Sequence, residues 1–160
     1  MNKRIQSYIE QFNQIFDGEP WLDETFGKKL KGLTDEQVFT KAPDNNHSVA
    51  EVISHLVAWR KEYVRRLFEN SPDRMLSDES AHNWIPAEEL KKQGWQHLYD
   101  DFKQSQRELI GLLQNKEDSF LDEHLAGTDH IKEYYLAGLL HHDVYHLGQV
   151  GLILKWAKKI

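Results

Sequence analysis

Apolar residues recur at spacings of three and four over long windows of this 160-residue chain, while alternation of apolar and polar residues is short-lived. That period predicts an all-α fold. The first helical face carries Ile5, Tyr8, Ile9, Phe12 and Phe16 and stops where Asp17, Gly18, Glu19 and Pro20 break the pattern. Proline suits a first helical turn, so Pro20 is expected to open a second piece with Trp21, Leu22, Phe26, Leu30 and Leu33, the two pieces forming one kinked element. Lys41 to His47, with Pro43, Asp44, Asn45 and Asn46, has the composition of a loop. Ser48-Val49-Ala50-Glu51 then reads as a capping box: the Ser48 side chain accepts from the Glu51 N–H while the Glu51 side chain accepts from the Ser48 N–H. The helix it starts has an inward face of Val52, His55, Leu56, Trp59, Tyr63 and Leu67 and ends near Asn70, Ser71 and Pro72.

The stretch from Pro72 to Pro86 is a long connection, and connections of that length are often functional. A third helix is expected from Pro86 or Ala87 to about Asn115, turning Leu90, Leu98, Phe102, Leu109 and Leu112 or Leu113 inward, with Gly94 and Gly111 as weak points. After a polar stretch from Asn115 to Thr128, broken at Gly127, the last helix is expected from Asp129 to Lys158. Tyr135, Leu139, His142, His146, Gln149, Val150 and Ile153 share one broad face of it, and Lys155, Lys158 and Lys159 suit the negative end of its dipole. Four such elements imply an antiparallel four-helix bundle, with the long connection as the place for a crossover.

Composition narrows the function. The length fits one domain spanning residues 1–160, and a net charge of −6 argues against nucleic acid as a partner, since a phosphate-binding surface needs excess Lys and Arg. Gln6, Ser7, Glu10 and Gln11 interrupt any apolar run near the N-terminus, and no stretch approaches the ~18 apolar residues of a membrane span. A cytoplasmic protein is expected. Cysteine is absent, which removes disulfides, thiolate ligands and a cysteine nucleophile, so any metal must take nitrogen or oxygen ligands.

Among the nine histidines, placement singles out three. His142 and His146 stand four apart, so at ~100° per residue their side chains lie ~40° apart on one helical face and can share an ion. The spacing is that of zinc-binding HExxH helices, but Asp143 follows His142 where that motif has glutamate, which weakens a metalloprotease assignment. His55, on the apolar stripe between Val52 and Leu56, is the best third ligand. On the residues alone, a core histidine satisfied by one hydrogen bond stays open for His55. Three inward imidazoles are costly to bury without partners, however, and a shared metal resolves all three. Three protein ligands would leave positions open for water or substrate, as in catalytic zinc sites.

Four segments carry a family resemblance: Gly18-Glu19-Pro20-Trp21, the run from His47 to Trp59, Asn83-Trp84, and His142-Asp143-Val144-Tyr145-His146-Leu147-Gly148-Gln149. They are similar to the motifs of the DinB-like (DinB/YfiT) superfamily of metal-binding four-helix bundles. The resemblance implies that His55, His142 and His146 form the metal triad. It also implies an up-up-down-down arrangement, frequent homodimers, and bound nickel or zinc. Residue types alone do not choose the ion, because imidazole suits Zn, Ni, Cu and Fe alike.

Around the triad, Gln149 is placed to border the ligand face and to hydrogen-bond a water or an imidazole N–H, and so to assist a metal-bound water or thiol. Glu51 is expected to be occupied by capping, Asp143 to be a supporting acid rather than a ligand, and His141 to point away. Trp59, Trp84 and Tyr145 are candidates to wall a substrate pocket, and His82 with Trp84 places the 72–86 stretch as a possible cover. The leading expectation is an enzyme using the metal as a Lewis acid on a small molecule. The resemblance points to transfer of a low-molecular-weight thiol such as bacillithiol, with metal-dependent hydrolysis as the alternative. A metal-stabilised dimer that binds a partner without turnover is the remaining expectation, because no general base is evident.

Overall fold

A computed structural model gives the structure over residues 2–41 and 47–157. The described residues are all-helical, with one isolated antiparallel bridge between His124 and Ile131. Four long helices, α1 (Lys3–Asp17), α4 (Val49–Phe68), α6 (Trp95–Gln114) and α8 (Lys132–Ala157), are joined through α2 (Phe26–Leu30), α3 (Asp35–Phe39), α5 (Ala87–Gln93) and α7 (Ser119–Asp122). Among the described residues, no helix is long and apolar enough to cross a membrane.

Local chemistry sets several boundaries. The capping box at Ser48 and Glu51 forms, with Glu51 Oε2 accepting from the Ser48 N–H at 2.7 Å, and α4 starts there. A second capping box, Thr34 with Gln37, starts α3, an element the apolar spacing did not indicate. The expected piece beginning at Pro20 is corrected: the Pro20 carbonyl accepts from the Asp23 N–H in a turn, Asp23 takes a φ of 56°, and Thr25 rather than Pro20 caps α2. Trp21 is consequently 96% exposed. The expected third helix is two helices, because Gly94 takes a φ of 86° that interrupts the α conformation and separates α5 from α6. The stretch 115–128 contains α7, which buries Phe120 and Leu121. The last helix starts at Lys132 rather than Asp129, since Leu125 and Lys132 pair their N–H groups with the carbonyls of His130 and Glu123 in a tight excursion. The loop positions Pro43, Asp44, Asn45 and Asn46, and the helix-end residues Lys158 and Lys159, lie outside the described residues.

Side-chain pairs fix the directions of the long helices. Along α4 and α8, His55 meets His142 and His146 while Tyr63 meets Tyr135, so these two run antiparallel. Asn13 meets Gln106 and Phe16 meets Phe102, so α1 and α6 also run antiparallel. Arg60 meets Ser105 and Phe68 meets Lys116, which makes α4 and α6 parallel. The sequence of directions along the chain is therefore up, down, down, up, where the family resemblance implied up-up-down-down. One long connection, between α4 and α6, returns the chain to the end at which α4 began, and this produces the parallel pair.

Two apolar clusters form the core. One gathers α2, α3, α5 and the first halves of α4 and α6 against the end of α8; the other gathers α1, α7 and the second halves of α4 and α6 against the start of α8. Between them lies a buried polar layer of Arg60, Ser105 with Gln106, and Asp143, from which Gln106 reaches the exposed Asn13 of α1. Arg60 and Asp143, each 1% exposed, pair at 2.6 Å, and Arg60 also donates to Ser105 Oγ and lies over the Phe102 ring. Burial pushes the Asp143 carboxyl up, and the Arg60 guanidinium pulls against it. Removing one partner of such a pair strands a buried charge. Arg60→Ala is therefore expected to cost ~3–5 kcal/mol, and the joint change Arg60→Met with Asp143→Leu much less. Urea denaturation of the two variants checks this.

Candidate metal centre

The antiparallel pairing of α4 and α8 brings His55, His142 and His146 to one point, their candidate ligand nitrogens all within 4.8 Å of one another. The Nε2 atoms of His55 and His146 lie 2.9 Å and 3.0 Å from the Nε2 of His142. Nitrogens sharing a tetrahedral ion at 2.0–2.1 Å stand ~3.3 Å apart, so these spacings fall within a few tenths of an ångström of a shared site.

The outer partners of the rings decide which nitrogens are bare. His55 Nδ1 faces the Asn83 backbone carbonyl at 3.0 Å, and a carbonyl can only accept, so Nδ1 carries the hydrogen and Nε2 the lone pair. His146 Nδ1 lies 2.7 Å from Gln149 Oε1, whose amide nitrogen donates to the Tyr145 hydroxyl, and the same logic leaves His146 Nε2 bare. Both lone pairs are aimed at a single His142 nitrogen. One proton on that nitrogen satisfies one of them and not the other, whereas a cation satisfies all three. An N–H turned outward onto a carbonyl is also the usual support of a metal-bound imidazole. The three histidines therefore fit a divalent ion.

The electrostatics agree. Burial lowers the pKa of His142 to about 3, assisted by His146, His55 and Arg60, and lowers that of His146 to about 4, assisted by His55. His55 is also pushed down by burial, against its bonds to Asn83. All three are neutral at physiological pH, the form that binds metal.

These rings form the floor of a cavity of about 1120 Å³. Trp84 is sandwiched between His55 and His47, with ring centroids 3.9 Å and 3.7 Å away and nearly parallel planes. Trp59 is buried, donates from Nε1 to Asn83 Oδ1 at 2.8 Å and lines the cavity, as does Tyr145 on the exposed side of α8. His82 is exposed and is not among the lining residues, so within the 72–86 stretch the cavity wall comes from Asp78, Asn83 and Trp84. Glu51 is committed to Ser48 and, at 2.9 Å, to Lys41; although burial opposes its ionisation, these bonds hold its carboxyl below the usual range. Asp143 faces Arg60, ~60–100° around α8 from its two histidines, and His141 is exposed at the cavity wall.

Sequence reasoning gave no role to Asn83 or to the Arg60–Asp143 pair. Asn83 is buried and ties the site together through its carbonyl to His55, its Oδ1 to Trp59 and its Nδ2 to the Asp78 carbonyl. Its only signal was its place beside Trp84. The signal for Arg60 was a charge five residues beyond His55 inside an apolar helix.

Two outcomes are expected. Gln149→Leu should weaken metal affinity about 10–100-fold, the usual effect of losing an outer partner, as read by competition with a chromophoric chelator. The chelator-treated protein should lose thermal stability as pH falls from 6.5, because the unfolded histidines take up protons there while the folded ones do so only near about 4 and about 3. Melting temperatures across that range, compared with His142→Gln, check the sign; a flat profile would contradict it.

Comparison with curated proteins finds no match. A family model described as the DinB superfamily matches residues 24–150, a span that takes in α2 to α6, the three histidines and most of α8. The chain belongs to the DinB superfamily.

Proposed function

We propose that this chain is a single-domain, metal-dependent enzyme acting on a small molecule, and that it transfers a low-molecular-weight thiol to an electrophile. The observation that carries this reading is the convergence of three imidazole nitrogens on the floor of an accessible cavity. His55, His142 and His146 would hold a zinc or nickel ion, which would lower the pKa of a ligating thiol or water toward neutrality. His55 and His146 present their Nε2 atoms because Asn83 and Gln149 hold the opposite ring edges, so the rings need no reorientation to bind. Trp84 and Trp59 shield the His55 side from water.

The carboxylates favour thiol transfer over hydrolysis. Activating water benefits from a general base within hydrogen-bond reach. Glu51 is engaged by Ser48 and Lys41, and the one carboxylate among the described lining residues, Asp78, belongs to an exposed part of the 72–86 stretch. A metal-activated thiol needs no such base. Cysteine is absent from the chain, so the thiol comes from a cosubstrate. We also propose a homodimer, supported by the exposed Tyr134, Val144, Tyr145, Leu152 and Trp156 along α8.

The expected metal content is one ion per chain, lost in His142→Ala; unchanged stoichiometry would overturn the triad. With metal restored, the protein should consume bacillithiol or glutathione in the presence of an electrophile panel. Thiol loss no faster than in the chelated control would remove thiol transfer and leave hydrolysis or binding.

A further inference from the structure

The cavity is larger than the metal centre needs, and its remainder has a distinct chemistry. From His142 a run of rings leads away along the groove between α4 and α8: Trp59 lies 6.1 Å from His142, Tyr63 5.8 Å from Trp59, and Tyr135 5.9 Å from Tyr63. Tyr134 continues the run at 5.3 Å from Tyr135, and His130 stacks on Tyr134 at 4.1 Å. All of these line the cavity. Tyr135 precedes His142 by seven residues and Tyr63 follows His55 by eight, which places this arm ~10–12 Å along the helix axes from the ligand nitrogens. Ala137 and Gly138 sit between its two ends, and a Cβ added at Gly138 would meet nothing within 4 Å, so the arm is open rather than filled by its own walls.

Charge is the second observation. No Lys or Arg is among the described lining residues, and the single carboxylate is Asp78. Two guanidiniums, Arg66 and Arg74, lie against the Tyr135 and Trp59 rings at 5.7 Å and 5.6 Å and are not part of the lining. A carboxylate or phosphate in the arm would meet no cation among the described lining residues and only the field of Arg66 and Arg74 from behind the rings, whereas a planar uncharged ring would gain face and edge contacts with several aromatic side chains.

We propose that this arm is a subsite for an uncharged aromatic or heteroaromatic ring, carried on a substrate whose donor atom reaches the histidine centre. It rests on the metal-dependent reading above and names the substrate class that reading leaves open. The geometry asks for a ligand about two rings long between donor atom and far edge.

Hydroxamates of increasing reach test this on the cobalt(II)-loaded protein, with binding read from the visible absorption of the ion. Acetohydroxamate meets only the metal, benzohydroxamate enters the arm, and 4-phenylbenzohydroxamate fills it. Affinity is expected to rise along the series, by about tenfold or more from first to last, a difference of ~1.4 kcal/mol or more. Cyclohexanecarbohydroxamate should fall below benzohydroxamate, and a carboxylate on the far ring should abolish the gain. Tyr63→Leu and Tyr135→Leu should each cut the advantage of the biphenyl probe; should either fail to fold, the wild-type series decides alone. Cobalt retained with a flat series, an equal cyclohexyl probe, or a carboxylated probe that binds as well, overturns the aromatic subsite and leaves the metal reading standing. Failure of the wild-type chain to retain cobalt overturns both.

Discussion

The ion pair of Arg60 and Asp143 sits buried among α4, α6 and α8, and it bears on the placement of the histidines. Arg60 follows His55 by five residues on α4, and Asp143 directly follows His142 on α8, so a salt bridge between them fixes how far one helix can slide along the other. Apolar faces tolerate a shift of one turn, because leucine packs against leucine in either register. A buried charge does not, since displacement would leave it unpaired in a medium that cannot solvate it. The pair contributes specificity more than net stability, which matters when three nitrogens must meet within a few ångströms.

The metal centre is organised from outside inward. Backbone and side-chain carbonyls at Asn83 and Gln149 take the Nδ1 hydrogens, and this alone determines that the Nε2 lone pairs point at one another. Burial above all keeps His142 and His146 neutral at physiological pH, the form that binds a metal ion. Trp84 completes the enclosure by stacking flat on His55, which restricts that ring to the plane in which its nitrogen faces the cluster. The 72–86 connection therefore supports the histidines through Asn83 and Trp84, with Asp78 at the cavity wall.

The helical class, the capping box at Ser48, the breaks after Asp17 and Asn70 and the shared face of His142 and His146 were legible in the sequence, because each depends on residues within a few positions of one another. The start of α2 was misplaced because Pro20 is compatible with a helix start and equally with a turn, and only the position of Thr25 against the core separates them. Gly94 was visible as a weakness, but its positive φ depends on how α5 and α6 pack. The exposed apolar residues of α8 were hidden for a related reason: the helix carries apolar side chains outside its inward face as well, among them Tyr134, Val144 and Leu152.

Local order along the chain determined that His142 and His146 would stand together, since one turn of helix separates them whatever else the chain does. That His55 joins them was decided by tertiary structure, through the antiparallel pairing of α4 with α8 and the buried charges that set its register. The order of helix directions, the role of Asn83 and the aromatic arm beyond the histidines were likewise decided there. Each of these unites residues far apart in sequence, and such contacts follow from the packing of whole helices rather than from the spacing within any one of them.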